Sequence, residues 1–290
     1  MALAGNELRN LGSVLADDPL RAVHALPGVT SNDDFQSQFA VRGAGFQRTG
    51  IYVDGILLHS PFHTLQGDTT NASLSVVEGE VLESANLHPS ALPPRYGDRT
   101  AGALDLRTRD GDRKQFGLRS TLSMSNAGGT AEGPLSDRGS WLAAARKSYV
   151  QYLIERTAGN STLAFGFWDT QSKLSYQIAR GHHLSLSFTD GHSGLDRTQG
   201  RQPFGLNTVV DGSYQFTFGS LAWRWSMGDR FSLTNRVGWM RERFVNGNRD
   251  ATQTAGGGYG EWLWNADASA TLSPSLARQQ TIGLQLSQRF

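Results

Sequence analysis

From Gln115 onward, apolar residues recur at every second position. Phe116, Leu118, Leu122 and Met124 fall on one face of an extended chain, with Gly117, Arg119, Thr121 and Ser123 on the other. Leu184, Leu186 and Phe188 alternate with Ser185, Ser187 and Thr189 in the same way. Phe231, Leu233, Val237 and Trp239 repeat the pattern across a polar Asn235. Trp262, Trp264, Ala266, Ala268, Ala270 and Leu272 carry it on, and Ile282, Leu284 and Leu286 follow. One stretch changes phase: Tyr214, Phe216 and Phe218 take even positions, then Leu221, Trp223 and Trp225 odd ones. A β-bulge near Gly219 is the expected cause.

The pattern predicts about nine strands, many of them reaching the roughly 9–11 residues of a tilted membrane strand. Ser136–Gly139, Ala179–Gly181 and Met227–Arg230 read as tight turns. Gly191–Asp211 and Asn246–Gly258 read as longer polar connections. Short turns at one end and long loops at the other describe an outer-membrane β-barrel. Trp168, Tyr214, Trp239 and Trp262 sit where aromatic girdles would fall. A soluble β-sandwich also alternates, but its strands average about 5–6 residues. Its solvent face also carries many charges, whereas the polar face here is mostly Ser, Thr, Gln and Gly.

Residues 1–112 have a different texture, with short helices, short strands and tight turns. "DDPLRAVHALPGV" predicts a short helix. Asp17 or Asp18 caps it, Pro19 takes the first helical position, Leu20, Val23 and Leu26 form the buried stripe, and Pro27-Gly28 ends it. "QFAVRG", "GIYVDGILL", "EVLESANL" and "GALDLRTR" read as strands. The division predicts two domains, 1–112 and 113–290.

Composition narrows the classes. The 290 residues hold 27 Lys and Arg against 26 Asp and Glu, a net charge of +1, so nothing favours a nucleic-acid partner. Cysteine is absent, which excludes disulfides and thiolate metal sites. The mean hydropathy of −0.39 fits a soluble protein and equally a barrel whose lipid-facing residues are diluted by polar neighbours. "MALAGNELRN" lacks the basic and apolar segments of a signal peptide, so the chain reads as starting inside a longer one or as staying in the cytoplasm.

"FAVRGAGFQRTGIYVDGILL", Phe39–Leu58, has the glycines of a phosphate cradle but not their order. Gly50 is too far from Gly45 for G-x-G-x-x-G, β-branched residues follow instead of a helix, and no lysine completes a Walker loop. The glycines read instead as turn residues supplying φ > 0, with Asp54-Gly55 a second tight turn.

"LRAVHALPGV", this glycine-rich stretch and "RYGDRTAGALDLRTR" together resemble the plug domain of TonB-dependent outer-membrane receptors. "GGTAEGPL" and "GSWLAAARKSY" look like the second and third barrel strands of that family. The resemblance implies a mainly β fold: a small α+β plug, then about nine antiparallel strands of an incomplete barrel of the 22-stranded type. Two departures stand out. No TonB box precedes Gly5, and "LESANLHPSALPPRYG" replaces the more usual segment ahead of the Tyr-Gly. Nine strands cannot enclose a plug, and open edges in lipid cost several kcal/mol per unpaired group. The chain is therefore expected to be an N-terminal fragment, seen as a curved open sheet partly wrapping the plug. Phe290 resembles an outer-membrane terminal aromatic, but Gln288 breaks the alternation before it, so a cut within a strand is expected.

What the resemblance implies about activity is active uptake of a scarce, bulky substrate of the siderophore, cobalamin or oligosaccharide class. It implies no covalent chemistry and no cofactor. TonB, outer-membrane lipid and an extracellular substrate are the implied partners, and the cell outer membrane is the implied location. The two plug apices carry over as Gly45–Thr49 and His59–Gly67, making Phe46, Gln47, Arg48, His59, Phe62 and His63 the candidate substrate contacts. Arg42, Gly43, Gly45, Tyr52, Asp54, Gly55, Arg95, Tyr96, Gly97 and Gly102 carry the plug motif and are expected to be structural. Pro61 between His59 and His63 argues against a shared metal. Two other classes stay open: an outer-membrane enzyme, for which His192, Ser193 and Asp196 are the nearest to a triad, and a soluble β-rich binding module.

Overall fold

The computed structural model describes residues 1–12, 18–31, 37–63, 74–89, 92–93, 95–96, 99–123, 125–149, 165–196, 209–228, 231–248, 254–271 and 279–289. The first region contains β1 (Ala2–Ala4), α1 (Gly5–Gly12), α2 (Pro19–Ala22), β2 (Val29–Thr30), β3 (Ala40–Val41), β4 (Thr49–Val53) and β5 (Ile56–Leu58). It continues with β6 (Phe62–His63), β7 (Leu74–Ser75), β8 (Leu82–His88) and β9 (Gly102–Thr108). Five strands form one mixed sheet in the order β1-β8-β9-β4-β5, in which β4 and β9 run parallel. Leu8, Leu20, Val23, Ile51, Leu82 and Leu104 are buried in its core.

Local chemistry explains these elements. Asp18 caps α2 by accepting the Leu20 N–H at 2.9 Å, and Pro19 takes the first helical position. Leu20, Val23 and Leu26 are buried, and Gly28 leaves the helix at φ 76°. Arg42-Gly43 and Asp54-Gly55 each place two successive residues at positive φ, at 50° and 79° and at 49° and 82°. That is the conformation of a tight hairpin turn, and Val41 and Ala44 exchange backbone hydrogen bonds across the first pair. The glycine-rich stretch is thus a pair of turns. Helix α1 and strand β1 had no clear signal, since only Leu3 and Leu8 supply buried apolar side chains there.

The second region is one antiparallel sheet running linearly from β10 to β18. Its strands are β10 (Gly117–Leu122), β11 (Asn126–Ser136), β12 (Gly139–Ser148), β13 (Phe165–Ala179), β14 (His182–Asp196), β15 (Val209–Met227), β16 (Phe231–Asn248), β17 (Thr254–Thr271) and β18 (Gln279–Arg289). The strands run further than expected. β14 to β17 extend into the two stretches read as long loops, leaving 197–208 and 249–253 as the connections, which lie outside the described residues with Met124, Leu272 and Phe290.

Two expectations fail instructively. No bulge lies near Gly219: β15 stays in register with Phe188 on one side and Trp239 on the other, and its irregularity falls between Val209 and Asp211. The apolar residues change phase because they change face. Tyr214, Phe216 and Phe218 point inward and are buried against the first region, whereas Leu221 on the opposite face is 44% exposed. Tyr214 is accordingly not a girdle residue; its hydroxyl donates to the Ser60 carbonyl at 3.1 Å.

Elsewhere the outward face is apolar in register. Leu174, Leu186, Leu221, Val237 and Trp264 are successive cross-strand partners on β13 to β17. Among the described residues, no helix is long and apolar enough to cross a membrane, which says nothing about strands.

Candidate functional site

The candidate site is the seam between the two regions. It starts at the chain crossing. Arg109 donates to the Glu80 carbonyl at 2.8 Å and pairs with Glu132 of β11, whose carboxylate also accepts the Asp112 N–H at 3.1 Å. Gly111 passes so close to β12 that a Cβ there would stand 2.0 Å from the Trp141 carbonyl oxygen. Asp110 accepts from the Ser175 hydroxyl at 2.5 Å and lies 3.2 Å from Lys173 Nζ. Burial pushes the Asp110 carboxyl up, but Ser175 and Lys173 outweigh it and hold the group below its ordinary value.

Segment 54–63 then climbs the wall from the tight-turn end toward the loop end. Asn265 donates to the Gly55 carbonyl at 2.8 Å, and Ile56 packs over Gly238, whose absent Cβ would stand 2.9 Å from Ile56 Cγ2. His59 Nε2 lies 2.7 Å from Glu261, and His63 Nε2 lies 2.9 Å from Asp169. Val76 sits on the bare backbone of Gly191.

The deepest part of the seam is ionic. Arg146 on β12 donates to Asp169 at 2.7 Å and 3.1 Å and to the Ser75 carbonyl at 2.8 Å, with Glu78 4.0 Å away. Asp18 accepts the Ser75 N–H at 3.1 Å and the Ser37 hydroxyl, joining the α2 cap to the same network. A buried charge is tolerable only when paired and hydrogen-bonded, and Arg146 and Asp169 meet that condition through one another. Burial pushes the His63 imidazole below its ordinary value, against the pull of Asp169, so its neutral form donates to that carboxylate.

Near the tight-turn end, a polar cavity of about 740 Å³ separates the five-stranded sheet of the first region from the nine-stranded sheet of the second, with Asp105, Arg107 and Tyr96 on one side and Arg224, Arg236 and Asp267 on the other. Arg236 pairs with Asp267 and also touches Gly55.

The candidate contacts separate into two groups. Gln47 and Arg48 are exposed on a 3-10 turn, Phe46–Arg48, that leads into β4. Phe46 is half-buried, its ring 5.3 Å from both Phe39 and Phe62. Phe62 and His63 are fully buried, and His59 is half-buried against Glu261. His59 and His63 thus turn to different acids. Of the motif residues, Tyr52 and Tyr96 pack together at 4.7 Å, with Arg95 stacked on Tyr96 at 4.6 Å. Burial holds the Tyr96 phenol well above its ordinary value. Gly45 precedes the 3-10 turn, and Gly102 opens β9, where a Cβ would stand 3.1 Å from the His88 carbonyl oxygen. Gly97 lies outside the described residues. His192 and Ser193 point to opposite faces of β14, so they assemble no triad.

Arg146, Asp169, Glu78, Glu261 and Gly191 were missed. For Arg146, Asp169, Glu261 and Gly191 the signal was a charge or a glycine on the polar face of a long strand, whereas Glu78 lies between β7 and a 3-10 turn, outside any strand. The sequence did not say that this face was covered.

Comparison with known proteins agrees with this geometry. Residues 6–104 match the TonB-dependent receptor plug domain. No curated protein matches by sequence. The chain is similar in structure to the siderophore receptor PirA from Acinetobacter baumannii, at TM-score 0.73 and 14% identity over 100% of this chain and 48% of that one. A ferric enterobactin receptor (PfeA) mutant from Pseudomonas aeruginosa follows at TM-score 0.71, 13% identity and the same coverage. The ferric-catecholate import receptor Fiu of E. coli gives 0.66, 11%, 100% and 49%. The chain thus spans about half the length of these receptors. Residues 6–104 are thus a plug domain of the TonB-dependent receptor type, and the chain shares the fold of the corresponding half of these receptors.

Proposed function

We propose that residues 1–112 are the plug and 113–290 part of the barrel wall of an outer-membrane receptor that imports a ferric siderophore under the pull of TonB. The observation that carries this reading is the seam. A folded plug is held along the inner wall by paired buried charges and glycine seats, which suits an element that must stay closed at rest and move when pulled. Nine strands are too few to surround it, and barrels of about 22 strands are the kind that hold a plug. The outward apolar rows suit lipid, and the cargo class is supported by similarity to receptors described as siderophore, ferric enterobactin and ferric-catecholate receptors. Cobalamin and oligosaccharides are the other cargo classes such a scaffold would carry.

Gln47 and Arg48 are the proposed plug contacts, because they are exposed and Arg48 offers a cation to an anionic iron chelate. Phe62 and His63 would act one step back, carrying displacement of the Phe46 turn into the ionic seam. Titrating the purified protein with ferric enterobactin, read by tryptophan fluorescence, tests the cargo. Saturable quenching that weakens in Arg48→Ala supports it. No quenching by this or any other ferric catecholate would remove that class.

A further inference from the structure

We propose that the polar cavity at the tight-turn end binds a small polyanion, one carrying two or more phosphate or carboxylate groups. The ligand bridges the first region to the wall and holds the two together at rest. This goes beyond cargo uptake. Only the compartment that supplies the ligand rests on the barrel reading, which places the tight turns toward the periplasm. The cavity, about 740 Å³, is of the size that takes a small molecule. Its lining holds six cations, Arg95, Arg107, Arg109, Lys173, Arg224 and Arg236, against five carboxylates.

Pairing within the lining leaves cation in excess on both sides. Asp267 is taken by Arg236, Asp110 by Ser175 and Lys173, and Asp54 by Thr108. Arg109 is taken by Glu132. Arg107 lies 3.5 Å from Asp105, yet its side chain is 54% exposed. Neither Arg95 nor Arg224 has an acidic ion-pair partner among the described residues, and Arg95 lies instead over the Tyr96 ring. Glu83, exposed on β8, is the one lining carboxylate without an ion pair among the described residues, and one charge does not offset two guanidiniums.

Register sets Arg224 among further donors. On β15 it is the direct cross-strand partner of His183 on β14 and of Thr234 on β16, and Arg236 is its diagonal neighbour, about 7–8 Å away. All four line the cavity, with Arg95 and Arg107 across from them. Cations on facing walls repel one another unless an anion stands between them. A guanidinium grips phosphate or carboxylate through two parallel N–H bonds, so a ligand with two such groups can engage both walls at once, which a monovalent ion cannot. Arg107 is the penultimate residue of β9, next to the Asp54–Thr108 tie and just ahead of the chain crossing at Asp110. An anion held by Arg107 and Arg224 therefore fastens the exit strand to the wall.

Isothermal calorimetry of the purified protein in detergent, titrated with inorganic pyrophosphate at constant ionic strength, tests the site. The expected result is saturable binding that weakens at least about tenfold in Arg224→Gln and in Arg107→Gln. Binding should be unchanged in Arg241→Gln, whose arginine is exposed on the opposite face of β16 from buried Met240 and Glu242. Thermal unfolding without pyrophosphate reports the fold of each variant separately, and hydrogen exchange along β9 should slow when pyrophosphate is bound. Absence of saturable binding, or equal affinity in Arg224→Gln, overturns the proposal. Weakening in Arg224→Gln but not in Arg107→Gln overturns the bridge. Displacement of pyrophosphate by ferric enterobactin would assign the cavity to the cargo and overturn a site for a free solute. The fluorescence titration of the cargo is read independently of these outcomes, so failure of one reading is distinguishable from failure of the other.

Discussion

Val76 rests directly on the backbone of Gly191: a Cβ at Gly191 would stand 2.5 Å from Val76 Cγ1 and 3.3 Å from His63 Cε1. The wall is notched where the plug touches it. Gly191→Val should therefore overpack the seam and cost about 1–3 kcal/mol. Gly219→Ala is the control, because on the opposite face its new Cβ would meet only the Ser187 carbonyl oxygen at 3.9 Å. Urea unfolding should separate the two. A destabilisation by Gly219→Ala as large as that of Gly191→Val would mean that the plug contact is not what Gly191 serves.

Arg146 and Asp169 should behave as a pair. Both are buried, and Asp169 is held by Arg146 and His63 together. Breaking the pair with Asp169→Leu leaves a buried guanidinium beside Glu78 at 4.0 Å and should cost about 3–5 kcal/mol. Adding Arg146→Met to that variant should recover much of the loss, since apolar replacement of a whole buried pair is often close to neutral. Losses that simply add in the double variant would argue against coupling.

The seam should also loosen in mild acid. The His63 imidazole is held below its ordinary value by burial, with Asp169 and Asp18 pulling the other way and Arg146 opposing protonation. A depressed value means that the unfolded chain takes up a proton that the folded one refuses. The stabilisation is thus present above about pH 6.5 and is lost as pH falls toward the depressed value. Protease cleavage of the plug, followed between neutral pH and about pH 5, should accelerate, and His63→Gln should flatten that part of the profile. An unaltered profile in His63→Gln would transfer the effect to another group.

How much of this was legible depended on whether a residue's role was local. The α2 cap at Asp18 and the turns at Arg42-Gly43 and Asp54-Gly55 are set by neighbours in sequence, and they were readable. The strands after Gln115 were readable because alternation records one face against another. Alternation does not say what covers each face. The phase change in β15 therefore looked like a bulge, when Phe216 and Phe218 had turned to pack on the plug. His63 looked like an exposed loop residue because its partner, Asp169, lies 106 positions away. The deep seam is made of such distant pairs, and spacing along one chain carries no record of them.

Asp54 offers the sharpest test of the plug motif, because one residue does two jobs there. Its backbone sits at φ 49°, which asparagine and aspartate tolerate better than other side chains. Its carboxylate accepts the Thr108 N–H at 2.9 Å and the Thr108 hydroxyl, tying the β4–β5 turn to the end of β9, where the chain leaves for the wall. Asp54→Asn keeps the turn and one acceptor oxygen, so it should lose only the charge-assisted part of the bond. Asp54→Ala loses the acceptor and strains the turn as well, which predicts roughly 2–4 kcal/mol in total. Hydrogen exchange at the Thr108 amide reads the tie directly. Protection should fall modestly in the asparagine variant and strongly in the alanine variant. Equal losses would show that the turn conformation contributes nothing and that the carboxylate alone holds the exit strand.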